Sequence, residues 1–324
     1  MTEATPGARP RPGAEVTAAA PAKINLTLRV GGRRADGFHP LNTLFHAVDL
    51  DEQIVVRDLT DGPDQLEVVG PQSDVVPLDG SNLVLRAAQL LRQEAASAAV
   101  RALPPGPVHC LIRKAIPVAG GLAGGSADAA AALIALNQLW SLGLDHGRLV
   151  HLAGQLGSDV PFALLGANAV GTGRGEELTA VTANRPLHWV LLTSPVGLST
   201  PAVFQQFDSQ PGSPPPDASP PRISPALLAG LRSGDPWLIG ANLVNDLEAA
   251  AFALRPDLAR TAAAARAAGA CGVIVSGSGP TIACLAPDQA GADALAAKLA
   301  AGSAPGLVRR ATGPAPGARL CPVY

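Results

Sequence analysis

The run Ile116–Ala130, IPVAGGLAGGSADAA, constrains this chain more than any other feature. A strand-like segment, Val108–Arg113, leads into it, and an Ala-rich helical segment, Ser126–Trp140, follows. Between them stand Gly120, Gly121, Gly124 and Gly125, four glycines within six residues. Ordering glycine costs more conformational entropy than ordering any other residue, so a loop built this way must gain something in return. What glycine permits is a backbone whose N–H groups point inward and a ligand that touches main chain. A helix that starts directly afterwards adds unpaired N–H groups and a partial positive charge. The combination predicts a phosphate cradle. Ser126 is placed to cap the helix or to touch a phosphate oxygen.

Two common phosphate folds do not fit. A Walker A loop ends in Gly-Lys-Ser/Thr, whereas here Ser126 follows Gly125 directly. No G-x-G-x-x-G run with an acidic residue about twenty positions on is found, which disfavours a Rossmann fold. Periodicity places early strands at Val16–Val30, Leu41–Val48, Gln53–Arg57 and Gln65–Val69, and an amphipathic helix at Asn82–Ala99 with Leu83, Ala87, Leu90 and Leu91 inward. Helices are expected at Gly147–Leu156, Pro161–Leu165, Leu227–Leu231, Leu243–Ala253, Pro256–Ala268 and Ala290–Ala301. A strand at His188–Thr193 and a hairpin of Gly272–Ser276 with Thr281–Leu285 complete the reading, and Thr172–Glu176 reads as a turn. Strands early and helices late predict an α+β fold. At 324 residues the chain suits two domains, divided near residue 180. Residues 1–15 read as a disordered tail, and Ser209–Pro225, with seven prolines, as an extended mobile loop.

Composition narrows the function. Aromatics are 3% of the chain, so small aliphatic residues must fill the core by close backbone packing. A net charge of −2 without a basic stripe argues against a nucleic-acid partner. Cys110, Cys271, Cys284 and Cys321 lack C-x-x-C spacing and read as reduced thiols. The first residues contain no apolar secretory core, and Ala129–Leu144 is too short and polar to span a membrane, so a cytoplasmic protein is expected. The chain uses Arg as its default cation and has only Lys23, Lys114 and Lys298. A retained lysine marks a place that needs a compact ammonium, which singles out Lys23 and Lys114.

Two further clusters accompany the glycine loop. Pro21–Leu26, PAKINL, puts Lys23 and Asn25 on one side of a strand, and Gly272–Thr281, GVIVSGSGPT, runs from a strand into a second loop of small residues. With these three motifs in this order, the chain resembles the GHMP kinase superfamily from about residue 17 to 315. Ala35–Leu50 (ADGFHPLNTLFHAVDL), Gly157–Leu164 (GSDVPFAL) and Thr200–Phe204 (TPAVF) are most similar to one branch of it. Members of that branch use ATP to phosphorylate the 2-hydroxyl of a cytidine-diphosphate-linked methylerythritol in the non-mevalonate isoprenoid route.

The resemblance implies a two-domain α+β GHMP-kinase fold, with an N-terminal ribosomal-protein-like ATP domain and a C-terminal ferredoxin-like domain. It implies ATP, with Mg2+ accompanying the nucleotide, and a monomer or homodimer with no membrane partner. Lys23 and Asp159 match the catalytic pair, with Asp159 as proton acceptor and Lys23 as the group that stabilises developing charge. The nucleotide would be held by Pro117, Val118, Ala119, Gly120, Gly121, Leu122, Ala123, Gly124, Gly125, Ser126 and Ala127, with Asn82 and Lys114 near the adenosine. Asn25 matches a polar contact beside the phosphates. Phe38 and Phe204 match two aromatics that sandwich the cytosine, and His39 the residue that reads its edge.

Departures from the pattern matter. Ala119 replaces a common glycine, and Ala127 a common second serine, which removes a side-chain metal ligand there and leaves the metal ligands open. Phe38 replaces a frequent tyrosine, keeping the stacking but losing a hydroxyl, and Pro40 stiffens the loop. Two local alternatives stay open. Asp159 precedes Val160-Pro161-Phe162, a spacing that also suits a helix cap. His39 also suits a plain turn. Rival functions are another GHMP kinase, for homoserine, mevalonate or a sugar, or a non-catalytic paralogue; Phe38, His39 and Phe204 weigh against the first, and Lys23 with Asp159 against the second.

Overall fold

The computed structural model describes residues 14–97, 105–302 and 306–322. The tail expected at the N-terminus lies outside the described residues up to residue 13, as does the end of the helix expected to reach Ala99. Strands β1 (Glu15–Val30) and β2 (Leu41–Asp58) pair antiparallel along almost their full length. Their register slips between Pro21 and Ala22, where β2 has two extra residues, Asp49 and Leu50. Pro21 cannot donate to a ladder, so it sits where the pairing already breaks. The two strands expected at Leu41–Val48 and Gln53–Arg57 are therefore one bulged strand.

The chain continues through β3 (Gln65–Val69), α1 (Leu83–Ser97), β4 (Val108–Arg113), α2 (Gly124–Leu139), α3 (His146–Leu156), α4 (Val160–Leu165), β5 (Asn168–Thr172) and β6 (Glu177–Ala180). The first sheet runs β12 (Arg319–Leu320), β1, β2, β4, β3, with the β5–β6 hairpin on β2 and β8 (Val244–Asn245) on β1. After β7 (Leu187–Leu192) come α5 (Thr200–Asp208), α6 (Pro225–Ser233), α7 (Pro236–Gly240), β8 (Val244–Asn245), α8 (Glu248–Leu254) and α9 (Pro256–Ala267). The hairpin β9 (Gly272–Val275) and β10 (Ile282–Ala286), then α10 (Gln289–Ala301), β11 (Val308–Gly313) and β12 (Arg319–Leu320), complete the chain. The second sheet is antiparallel, β11-β7-β10-β9. It begins at Leu187, just past the last strand of the hairpin in the first sheet, yet β8 and β12 return to that first sheet and tie the halves together.

Helix α2 lies on β1 and β2, with Ala129 to Ala132 and Leu133 fully buried. Its alanines let the helix axis approach the sheet closely, as a core short of aromatics requires. Helix α1 is turned slightly from expectation: Val84, Ala87, Ala88 and Leu91 are buried, and Leu83 and Leu90 half-buried. Burial pushes the Cys110 and Cys284 thiols up to about 12, and all four cysteines are free. Among the described residues no helix is long and apolar enough to cross a membrane.

One expectation fails here for a tertiary reason. The helix expected over Leu243–Ala253 starts only at Glu248, because Val244 and Asn245 pair with β1 instead. The Asn245 amide donates to the carbonyls of Val275 and Gly277 (2.8 and 2.7 Å), and its oxygen accepts from Leu247 N. Those long-range bonds outweigh helix propensity. The proline-rich loop folds back on the body: Gly32 N donates to Ala218 O (2.8 Å), and a side chain on Gly31 would meet that same oxygen at 2.3 Å.

Candidate active site

A cavity of about 860 Å³ opens between the two sheets. Lys23 and Asn25 of β1, the glycine loop, Asp159 and the Phe204 face of α5 all line it. Around the loop, positive φ falls on Ala119 (51°), Gly121 (76°) and Ala123 (60°), so two of the three positions carry a side chain in the left-handed region. Each such alanine stores on the order of 1–3 kcal/mol of strain, which the surroundings must hold. They do. Glu52 accepts from Ala115 N and Ile116 N (2.9 and 3.2 Å), Gln72 Oε1 from Val118 N (2.9 Å), and Leu122 O from Lys23 N (3.1 Å). The second loop ties it from the other sheet: Ser276 Oγ donates to Gly121 O (2.9 Å) and Thr281 N to Gly120 O (3.2 Å).

The glycines serve different ends. A Cβ on Gly121 would lie 2.2 Å from Ser276 O, so the inter-loop contact forbids it. One on Gly124 would meet Ile116 and Glu52 at 3.2–3.3 Å. One on Gly125 would find only Leu83 Cδ1, at 4.0 Å. Protein packing does not require glycine at 125, and without a side chain the main chain there is open to close approach from the cavity. Ser126 is not the cap: α2 begins at Gly124, its cap position is Ala123, and no side chain bonds there. Ser126 stands inside the first turn, where N–H groups lack intrahelical partners. Pro117, Val118, Leu122 and Ala127 support the loop without lining the cavity, and the Ala127 methyl is buried in the core.

Asn82 and Lys114, expected beside the adenosine, are not brought to the cavity. Asn82 caps α1, accepting from Val84 N (2.9 Å) and donating to Pro77 O (2.8 Å). The Lys114 ammonium lies 2.7 Å from Glu52 and 2.8 Å from Asp128, all three buried. Burial pushes the Glu52 carboxyl up to about 7, the Asp128 charge adds to this, and Lys114 opposes it. Burial works against the Lys114 ammonium, but its two carboxylates outweigh that and hold it above its ordinary value. The triad therefore ties β2 and β4 to the first turns of α2 beneath the loop.

Lys23 and Asp159 meet, Nζ to Oδ2, at 3.6 Å. Lys23 donates to Asn25 Oδ1, Asn25 Nδ2 to Thr43 Oγ1, and Thr43 Oγ1 to Thr27 O, each at 2.8 Å. This relay uses both ends of the Asn25 amide and fixes the ammonium, which also lies 5.7 Å from the centre of the Phe45 ring. Asp159 occupies the cap position of α4 but makes no capping bond with its side chain. The carboxylate lines the cavity beside Lys23.

At the cavity's other lining, His39 stacks on Phe204 (4.9 Å between ring centres, 29° between planes) and meets the edge of Phe207 at 6.1 Å. Its Nε2 lies 2.8 Å from Asp208 Oδ1. Phe38 is half exposed, with the Arg174 guanidinium 5.2 Å from its ring centre. Asp208 and Arg174 were missed in the sequence. Asp208 stands four residues after Phe204, a helical spacing that places both on one face, and Arg174 belongs to the predicted turn at Thr172–Glu176. Among the described residues no group of three or more His, Cys, Asp or Glu is arranged to hold a metal ion; the hydroxyl of Ser126 and the carboxylate of Asp159 are oxygen donors beside the loop.

Comparison with known proteins adds to this. Residues 82–167 match the N-terminal domain of GHMP kinases and residues 227–304 their C-terminal domain. A 4-diphosphocytidyl-2-C-methyl-D-erythritol kinase from Thermobifida fusca (strain YX) is 48% identical, over 94% of this chain and 98% of its own length. A crystal structure of 4-(cytidine 5'-diphospho)-2C-methyl-D-erythritol kinase superposes with TM-score 0.71 at 35% identity, covering 92% of this chain and 98% of that one. A homoserine kinase from Cytophaga hutchinsonii has TM-score 0.73 at 20% identity, covering 95% and 97%; this second likeness is one of fold alone.

Proposed function

The chain belongs to the 4-diphosphocytidyl-2-C-methyl-D-erythritol kinases within the GHMP kinases, and from that premise we propose how its residues share the work. The enzyme phosphorylates the 2-hydroxyl of 4-diphosphocytidyl-2-C-methyl-D-erythritol with ATP, in isoprenoid biosynthesis by the non-mevalonate route. One observation carries the assignment of roles: the Lys23–Asp159 pair, 3.6 Å apart, shares a single cavity with the pinned glycine loop and the His39–Phe204 stack.

The loop and the first turn of α2 hold the ATP phosphates by backbone N–H groups. The substrate hydroxyl oxygen bonds to the γ-phosphorus as the bond to the bridging oxygen breaks and ADP leaves. Asp159 accepts the hydroxyl proton. Lys23, immobilised by Asn25, offsets the negative charge that develops on the oxygens in transit. Most of the acceleration then comes from positioning, which a strained and multiply anchored loop supplies. Mg2+ would be held mainly by the phosphates, with Ser126 and Asp159 as the protein donors at hand, and would supply charge neutralisation across them. Phe38 and Phe204 supply faces for the cytosine, and His39 reads its edge. With the division near residue 180, the N-terminal domain holds phosphates and proton acceptor while Phe204 comes from the C-terminal one. Four free cysteines suit a reducing cytoplasm.

The test is ADP release with ATP and a panel of alcohols. Turnover of the cytidyl substrate, with none of homoserine or mevalonate, is expected. Turnover of homoserine without the cytidyl substrate would overturn the reading.

A further inference from the structure

We propose that Asp208 is a positioning residue that dictates which nitrogen of His39 carries the proton, and so makes the site select cytosine over uracil. The inference rests on the base-binding role proposed above for this part of the cavity. Its observations are separate from those that locate the catalytic pair.

Asp208 is the last residue of α5, and His39 stands in the loop before β2, 169 positions away in the chain. They meet at 2.8 Å, Oδ1 to Nε2. An ionised carboxylate can only accept, so the hydrogen of that bond is on Nε2. Turning the ring over would keep its plane against Phe204 and Phe207 but would lose the bond to Asp208, so Asp208 alone decides which nitrogen is engaged. Phe204 covers one face, Phe207 abuts the ring, and the His39 side chain is 5% exposed. In the neutral imidazole, a hydrogen on Nε2 leaves Nδ1 as an acceptor. His39 lines the cavity, and with Nε2 engaged by Asp208 the nitrogen it has left for a ligand there is Nδ1.

The consequence follows from base chemistry. Cytosine presents an exocyclic amino group, a donor, where uracil presents a carbonyl, an acceptor. An Nδ1 acceptor pairs with the first and opposes the second. Stacking on Phe204 does not distinguish them, because every base has a π-face. Selection therefore falls to the hydrogen bond, and a site built to receive an amino group rejects the analogue that lacks it. If Asp208 were lost, the imidazole would exchange between tautomers and the Nδ1–H form would accept uracil.

The experiment uses the full chain with ATP, the cytidyl substrate and its uridyl analogue, for wild type and Asp208→Ala. The wild type should favour the cytidyl substrate. Asp208→Ala should shrink the ratio of kcat/KM values by roughly tenfold or more, with KM for ATP unchanged. Asp208→Glu should restore part of the ratio. A nitrogen-15 spectrum of the wild-type His39 ring should report the Nε2–H tautomer, and Asp208→Ala a mixture; this wild-type reading needs no variant to fold. A wild-type ring protonated on Nδ1 alone, or a folded Asp208→Ala enzyme with an unchanged ratio, overturns the proposal. A wild type that uses both bases equally overturns it together with the edge-reading role of His39, whereas the first two results leave the kinase assignment standing.

Discussion

Asp159→Asn separates chemistry from structure in a single substitution. The carboxylate caps no helix and makes one ion pair, with Lys23 at 3.6 Å. At the effective dielectric that suits such pairs, their gross attraction is about 4–5 kcal/mol. The pair is not sealed, since the Asp159 side chain is 31% exposed, and water replaces much of what is lost. Lys23 also keeps its 2.8 Å bond to Asn25. Desolvation and water access reduce the net contribution to stability to about 1 kcal/mol or less. That corresponds to a melting shift of no more than about 4 °C for a chain of this size. Removing a positioned base instead costs roughly 10²- to 10⁴-fold in rate, or about 3–5 kcal/mol of barrier. The expected result is kcat lower by at least about 100-fold, KM for both substrates within a few-fold, and a melting curve almost superimposed on wild type. Coupled ADP release and a thermal melt on the same preparation measure all three. A variant with near-normal kcat refutes the role of Asp159. A variant that melts much lower refutes the reasoning from geometry.

The remaining predictions concern binding and stability. Gly125→Val should weaken ATP binding by calorimetry while leaving the melting temperature near wild type, because its Cβ meets only open space (Leu83 at 4.0 Å); unchanged ATP affinity would move the phosphates elsewhere. Gly124→Val should instead lower stability through Ile116 and Glu52, 3.2–3.3 Å away. Lys114→Met leaves Glu52 and Asp128 buried without their cation and should cost about 3–5 kcal/mol in denaturant unfolding. A small stability loss with a large rise in KM for ATP would return Lys114 to the nucleotide site. His46 is fully buried, and burial lowers its value from 6.5 to about 4, against its bond to Asn168. The unfolded ring takes up a proton below about 6.5 that the folded ring refuses until about 4, so stability falls as pH falls through that window. At pH 4.5 the loss from this one group is roughly 2–3 kcal/mol relative to pH 7, and His46→Gln should flatten the profile by that amount.

Much of this protein was legible in the sequence because the relevant physics is local. A strand, four glycines and an Ala-rich helix state their own geometry, and side chains two apart in PAKINL must share a face of β1, as Lys23 and Asn25 do at 2.8 Å. Even the hairpin of β9 and β10 follows from two apolar runs around a turn of small residues. What the tertiary structure decided is what each polar side chain does once those elements meet. Local spacing makes Asp159 and Ser126 suitable caps; neither caps, since Ala123 takes the turn before α2 and Asp159 faces Lys23 from another element. Scarcity singles out Lys114 and the resemblance implies a place near the adenosine, but the carboxylates that engage it are not visible in the sequence: Glu52 comes from an interior strand and Asp128 from a helix. The spacing of Asp208 from Phe204 puts the two on one helix face, but its partner is set only where α5 lies against the loop of His39. Periodicity reports which face of an element is apolar. Burial, charge pairing and proton placement depend on atoms far along the chain, and only the packed molecule determines which of those atoms are near.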